Sequence, residues 1–238
     1  MPDRQDVNQI FDSVTPRYDL ANRILSLGLD LWWRRQAIQV TGIGEGMRVI
    51  DLCCGSGDMA FAAVSAVGTR GYVCGYDTVE AMQGRAREKW EAMCHKSGYP
   101  KELAEWKTGD CEQLSIPEQL FDAATCAFGI RNVSNISRFL TSTYEVLRPG
   151  GRVGILEFSL PRGSVFRMIV LAYLIGVVPI LGWLVTGKFG EYRYLSESIR
   201  SFSREVNLPQ MLMNAGFTDV RSVPLSKGIV TVYIGYRI

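Results

Sequence analysis

The chain has 238 residues, of which 47% are hydrophobic and 21% charged, a balance that excludes wholesale disorder, a collagen-like repeat and a coiled coil. Twenty-six Lys and Arg against twenty-four Asp and Glu leave a net charge of +2, too small for an electrostatically driven nucleic-acid binder. A single histidine, His95, excludes a histidine-based triad or a multi-histidine metal site, and no metal is expected.

The first residues, Met-Pro-Asp-Arg-Gln-Asp, lack the apolar core of a signal peptide, so a cytoplasmic location is expected. Val7, Phe11, Val14 and Tyr18 fall at helical spacing and predict an amphipathic helix over residues 7–18. Trp32-Trp33-Arg34-Arg35 opens a second helix, and Gly42, Gly44 and Gly46 mark a loop. Strands and helices then alternate. Arg48–Leu52 reads as a strand, Met59–Val67 as a helix, Tyr72–Tyr76 as a strand and Val79–Lys96 as a helix. Glu105–Thr108 and Phe121–Phe128 follow as strands. Ile136–Leu147 is a helix stopped by Arg148-Pro149-Gly150-Gly151, and Arg152–Phe158 is a strand. This alternation predicts a doubly wound α/β sheet. Cysteines 53, 54, 74, 94, 111 and 126 show no CxxC spacing, and the adjacent pair suits reduced thiols rather than a disulfide framework.

The tail differs in character. Twenty uncharged residues, Met168–Gly187, are long enough to span a bilayer, but Gly176, Pro179 and Gly182 interrupt them. A buried helical lid is the preferred reading, a lid that also touches membrane comes second, and a true span third. Residues 151–238 carry +5 and residues 1–150 carry −3. A helix near Glu205–Asn214, a turn at Ala215-Gly216-Phe217 and strands Val220–Val223 and Ile229–Tyr236 close the chain, the two strands forming a hairpin at the sheet edge. One domain is expected, with N-terminal helices over 1–45, a cofactor-binding core over 46–160, an apolar lid over 161–203, and a last helix and strands over 204–238.

The strongest local signal is Val49-Ile50-Asp51-Leu52-Cys53-Cys54-Gly55-Ser56-Gly57-Asp58, a strand entering a glycine turn that opens a helix. Gly55 to Ala60 also fits the dinucleotide pattern G-x-G-x-x-G/A, which keeps an NAD(P)-dependent oxidoreductase as an alternative. Asp51 and Asp58 argue against it, because acids beside the loop repel a pyrophosphate. They suit a donor carrying an ammonium and a sulfonium, as S-adenosylmethionine does. Asp77, with Thr78 beside it, ends the next strand where an acid accepts from ribose hydroxyls. Asp110, followed by Cys111, ends the third strand at the adenine amino group. A turn-capping carboxylate is the competing reading of Asp51.

At these residues the chain resembles the UbiE/MenG family, C-methyltransferases of ubiquinone and menaquinone biosynthesis. The resemblance rests on Phe11-Asp12-Ser13-Val14, Tyr18-Asp19, Leu25-Ser26-Leu27-Gly28 and Trp33-Arg34-Arg35. Asp51–Asp58, Phe128-Gly129-Ile130-Arg131-Asn132-Val133, Leu147–Gly151, Leu156-Glu157-Phe158-Ser159, Tyr192–Leu195 with Ser198-Ile199, and Ala215–Phe217 extend it. Departures fall at Val79, Ser115-Ile116-Pro117-Glu118, Ala127 and Tyr233. The resemblance implies a Rossmann-like class I methyltransferase with a seven-stranded, mostly parallel sheet, an antiparallel C-terminal hairpin, N-terminal helices and a helical lid. It implies S-adenosylmethionine as cofactor, held by Asp51, Gly55, Ser56, Gly57, Asp58, Asp77, Thr78, Asp110, Cys111 and Ala127. The implied substrate is a polyprenylated quinol, demethylmenaquinol first and the ubiquinone-pathway benzoquinol next.

Methyl transfer to a ring carbon needs an electron-rich ring, and a phenol with a pKa of ~10 needs help to ionise at neutral pH. A cation at the phenolic oxygen supplies it, and Arg131 is the candidate, with Asn132 orienting the oxygen or a water and Tyr18 closing the pocket. Glu157 is expected to touch substrate or to hydrogen-bond the turn. Tyr173, Pro179 and Trp183 are expected to line a groove for the isoprenoid tail, and the basic C-terminal part suits peripheral contact with an anionic bilayer. A homodimer and a non-catalytic role in a quinone-biosynthesis assembly stay open as further readings.

Overall fold

The computed structural model describes residues 17–114, 120–161 and 163–238. Residues 7–14, which carry most of the first expected helix and the Phe11–Val14 motif, and Ser115–Glu118 lie outside them. Strands β1 (Arg48–Leu52), β2 (Tyr72–Asp77), β3 (Ala104–Thr108), β4 (Phe121–Ala127) and β5 (Leu147–Phe158) run parallel to one another. With β6 (Thr218–Leu225) and β7 (Val230–Tyr236) they form one sheet in the order β3-β2-β1-β4-β5-β7-β6. The C-terminal hairpin forms, but β7 is inserted between β5 and β6 and pairs antiparallel with both. Of the two hairpin strands only β6 is therefore an edge, and β3 is the edge at the other end of the sheet. The expected break at Arg148–Gly151 is carried inside β5 as an irregularity of the ladder between Phe121 and Ala123, where Gly150 takes φ +79°.

Both faces of this sheet are covered, so β1 and β4 are buried along nearly their whole length rather than at alternate residues. On one face pack α2 (Leu29–Thr41), α3 (Asp58–Val67) and α4 (Glu80–Ser97), through Ile38, Val64 and Trp90 among others. On the other pack α5 (Ile136–Val146), through Phe139 and Leu140, and α9 (Leu208–Asn214), through Leu208 and Leu212. The sequence pattern runs a single helix from Glu205 to Asn214. In the fold, α8 (Phe189–Glu205) stops, and Asn207 caps α9 by accepting from the Gln210 N–H at 3.3 Å, with Pro209 in its first turn.

The apolar segment is α6 (Ser164–Ala172), a wide π turn over Tyr173–Val177, and α7 (Val178–Thr186). Val165–Thr186 is long and apolar enough to cross a membrane by length and composition, with mean hydropathy 2.5. Only 28% of its most apolar stretch is buried, so it is not the buried lid expected; it packs along one side on α8 and on α1 (Tyr18–Leu25), where Ala21, Val170, Leu174, Val178, Tyr192 and Ile199 form a third cluster. Gly182 allows α7 this close to α8, because a Cβ there sits 2.1 Å from the Tyr192 ring. Tyr173 fastens the segment by donating from its hydroxyl to the Leu25 carbonyl at 3.0 Å.

Candidate active site

The strand order changes direction between β1 and β4, and in open α/β sheets that crevice, beyond the carboxyl ends of the strands, is where ligands collect. A cavity opens there. It encloses about 690 Å³ of empty space including its mouth, lined by Cys53 after β1, Asp77–Val79 after β2, Asp110–Glu112 after β3 and Ala127–Gly129 after β4. Gly55 is in its wall at φ +54° with nothing within 4 Å of where a Cβ would stand, so the turn presents bare backbone to the space.

Of the residues expected to hold a cofactor, Gly55, Asp77, Thr78, Asp110, Cys111 and Ala127 line this cavity, as do Tyr18 and Asn132. Asp77 is 8% exposed, and its carboxylate accepts from the Gly55 N–H at 2.8 Å and the Val79 N–H at 2.9 Å. Burial pushes its carboxyl upward, against the lowering effect of those N–H groups. The carboxylate is on the cavity wall, where it can accept from a ligand hydroxyl. Asp110 accepts from the Glu112 N–H at 2.8 Å.

Asp51, Ser56, Gly57 and Asp58 lie behind the cavity rather than on it. Asp51 is fully buried on β1 and accepts from the Thr125 hydroxyl of β4 at 2.7 Å; burial raises its carboxyl to about 7, opposed by Thr125 and Arg34. Ser56 donates to Asp19 of α1. Asp58 pairs with Arg23 at 2.8 Å and Lys89 at 2.6 Å, and Lys89 also reaches Asp19 at 3.0 Å. Burial pushes Asp58 up, but Arg34 and Lys89 outweigh it and hold the carboxyl below its usual range. Ser56 and Asp58 thus fasten α1 and α4 to the glycine turn. Gly57 starts α3 at φ +89°, where a Cβ meets Phe61 and Trp106 at 2.9 Å.

A second, larger cavity adjoins the first. It encloses about 1290 Å³ between α1, α2, α6 and α8, and its surface is predominantly apolar. Tyr18 and Phe128 line both cavities and form the wall between them. Phe128 holds a left-handed backbone at φ +61°, anchored by its N–H to the Leu156 carbonyl at 2.8 Å, and its ring packs 4.6 Å from that of Phe158. Arg131 lines the apolar cavity. Its Nη1 donates to Glu157 Oε1 at 2.7 Å and to the Phe128 carbonyl at 2.8 Å, while its Nε is sealed without a hydrogen-bond partner. Burial raises the carboxyl of Glu157, which Arg131 opposes. Glu157 is fully buried and on neither cavity wall, so it is the turn's hydrogen-bond partner. Burial likewise raises the Tyr18 phenol, against Asn22, Arg34 and Arg131.

Tyr173 lines the apolar cavity as expected. Pro179 and Trp183 do not: Pro179 is buried against the fold and Trp183 is 51% exposed on the outer face. The wide turn at Tyr173–Val177 puts α7 out of phase with α6, so a single helical period misplaces both. Sequence reasoning left Val79, Met82 and Phe128 without a site role, and Arg34 as well. Arg34 was legible in principle, since Asp30, Trp33, Arg34, Ala37, Ile38 and Thr41 trace one inward helical face.

The profile of the ubiE/COQ5 methyltransferase family matches residues 2–237. The chain is 36% identical over 231 residues to the ubiquinone/menaquinone biosynthesis C-methyltransferase UbiE of Geobacter sulfurreducens, covering 97% of this chain and 88% of that protein. It is 37% identical to the protein of the same description from Geobacter sp. strain M21, covering 97% and 96%. Among solved structures, a SAM-dependent methyltransferase from Aquifex aeolicus superposes with a TM-score of 0.60 at 20% identity over 100% of both chains. The [4+2]-cyclase SpnF superposes with a TM-score of 0.63 at 14% identity, over 99% of this chain and 97% of that one. At such identities the likeness shows the fold alone, and a cyclase among them shows that the fold does not fix the reaction.

Proposed function

Because the chain belongs to the ubiE/COQ5 methyltransferase family, we propose that it transfers a methyl group from S-adenosylmethionine to a ring carbon of a polyprenylated quinol. Demethylmenaquinol is the first choice of ring and the benzoquinol of the ubiquinone pathway the second. The NAD(P)-dependent oxidoreductase reading is not favoured by these relatives. The observation that carries the proposal is the pair of cavities sharing Tyr18 and Phe128: one at the switch point, lined by Asp77 and Asp110 at strand ends, and a larger, predominantly apolar one beside it.

The residues present fit the cofactor, which supplies an electrophilic methyl on a good leaving group. Asp77 would take the ribose hydroxyls, Val79 and Met82 the adenine faces, and Asp110 its edge, with Gly55 giving backbone access. Asp51 would act from behind the wall, through the strand end. On the other side, the chain must hold the reacting carbon about 3–3.5 Å from the methyl. Tyr18 and Phe128 would set that contact, Asn132 would orient a quinol oxygen or a water from the cofactor side, and Arg131, paired with Glu157 on the wall of the apolar cavity, would face the ring from the other side.

The same reading places the isoprenoid tail in the apolar cavity and the protein against a membrane from its cytoplasmic face. Leu27, Leu29 and Ile169 line that cavity and are exposed. On α7, Ile180, Trp183 and Leu184 stand three and four residues apart on one face and are 51–65% exposed. Arg35 and Lys188 are exposed nearby in sequence, compatible with anionic headgroups. Quinone extraction and mass spectrometry from a strain lacking this protein test the function. A quinone one methyl lighter than the parental one is expected; an unchanged quinone pool contradicts it.

A further inference from the structure

Arg34 lies on the inward face of α2 and is 6% exposed. Its guanidinium sits over the Phe128 ring, 5.2 Å from the centroid, and lines the apolar cavity. Among the described residues its side chain makes no hydrogen bond or ion pair, and its Nε is sealed from solvent. The groups that face it are otherwise engaged. Asp58 is paired with Arg23 and Lys89, Asp30 with Arg23 and Arg131 with Glu157, and Asp51 accepts from Thr125; Arg34 attracts Asp58 and Asp51 without a hydrogen bond to either, and its charge, like that of Arg131, acts on Tyr18. A buried guanidinium whose neighbouring carboxylates are hydrogen-bonded elsewhere keeps donor capacity, and at the wall of a ligand cavity it selects an anionic oxygen. Phe128 beneath it selects a flat ring.

We propose that Arg34 binds the ionising hydroxyl oxygen of the quinol and holds it as the phenolate, so that it carries the charge that Arg131, already paired with Glu157, does not. This rests on the quinol reading above. The hydroxyl proton leaves to water and the electron pair stays on oxygen, delocalised onto the ring. The ring carbon forms its bond to the methyl as the carbon–sulfur bond breaks and sulfur takes that pair. The same ring carbon then loses its hydrogen as a proton to water, and the C–H pair returns to the ring and restores the aromatic phenolate. Arg34 acts by lowering the energy of the anion, not by accepting a proton.

The test compares wild-type protein with Arg34→Gln and Arg34→Lys, using a reduced, short-tailed demethylmenaquinol under anaerobic conditions. S-adenosylmethionine affinity by calorimetry reports whether the fold and the cofactor cavity are intact. The Gln variant is expected to bind cofactor normally and to lose about 100-fold in kcat at pH 7. Its acid limb moves up by a pH unit or more, toward the free phenol, and Lys restores part of both. A pH profile superimposable on that of wild type overturns the proposal, whatever the turnover. A second measurement needs no variant: the ultraviolet titration of 1-naphthol bound to wild-type protein with cofactor product. A bound pKa at least one unit below the free value is expected, and no depression overturns the proposal. If the wild-type protein binds cofactor yet methylates no quinol, the functional reading fails first; if it methylates and the profiles coincide, only the role of Arg34 fails.

Discussion

The hydroxyl of Thr125 donates to Asp51 Oδ1 at 2.7 Å across the neighbouring strands β4 and β1, inside the sheet and out of reach of solvent. One oxygen of the carboxyl is satisfied and Oδ2 is not. The strand-end acid is thus built into the floor beneath the glycine turn, with its carboxyl raised to about 7 by burial.

That shift makes stability depend on pH with a definite sign. In the unfolded chain the carboxyl ionises near its ordinary value of 3.8, and in the folded protein near 7. Between these values the folded state binds more protons, so the contribution of Asp51 to stability falls as pH rises and is lowest above about 7. Asp51→Asn removes this dependence. Relative to wild type, the variant is expected to gain about 2–3 kcal/mol between pH 5 and pH 8. Urea denaturation at both values checks it, and a gap that stays constant contradicts it.

Arg131 and Glu157 form an ion pair with side-chain exposures of 7% and 0%. Removing one partner leaves a buried charge alone, at a cost of about 3–5 kcal/mol. Arg131→Met and Glu157→Leu are each expected to destabilise strongly, and the double substitution to cost less than their sum. A double-mutant cycle measures this; additivity contradicts it. Arg131→Lys, which keeps the charge but not the fork, is expected to lower turnover without changing cofactor affinity.

Asp77 organises the glycine turn and faces the cofactor cavity. Asp77→Asn replaces an anionic acceptor by one that also donates. The expected loss is about 1.5–3 kcal/mol, roughly ten- to a hundred-fold in S-adenosylmethionine affinity by calorimetry. An unchanged affinity removes the ribose role from Asp77.

Ile180 and Leu184 sit on the outer face of α7, so Ile180→Glu with Leu184→Glu leaves the core intact. Flotation with anionic liposomes at low salt is expected to carry the wild-type protein and not the double variant. Turnover of a short-tailed quinol is expected to be equal in both. Wild-type protein that stays wholly soluble contradicts the membrane contact.

What was legible in the sequence is what is local in it. The strand–glycine–helix run at Arg48–Val67 and the acids at successive strand ends announce the α/β sheet and its ligand edge, because each element's pattern lies within a few residues. The break between α8 and α9 was also written locally, as Asn207 and Pro209. The burial of Asp51 was not, since its partner Thr125 is 74 residues away on a strand that becomes its neighbour only through the crossover. Nor was the occupation of Asp58 by Arg23 and Lys89, which come from two different helices. The phase of α7 escaped because the wide turn at Tyr173–Val177 inserts backbone that no hydrophobic period reports.

The most direct test of methyl transfer between the two cavities uses purified protein, S-adenosylmethionine with a trideuterated methyl group, and reduced demethylmenaquinol, with the product read by mass spectrometry. A quinol heavier by one labelled methyl on the ring carbon, formed from the reduced ring and not from the oxidised one, is expected. Cofactor bound with normal affinity, but label absent from the ring of either quinol, contradicts it.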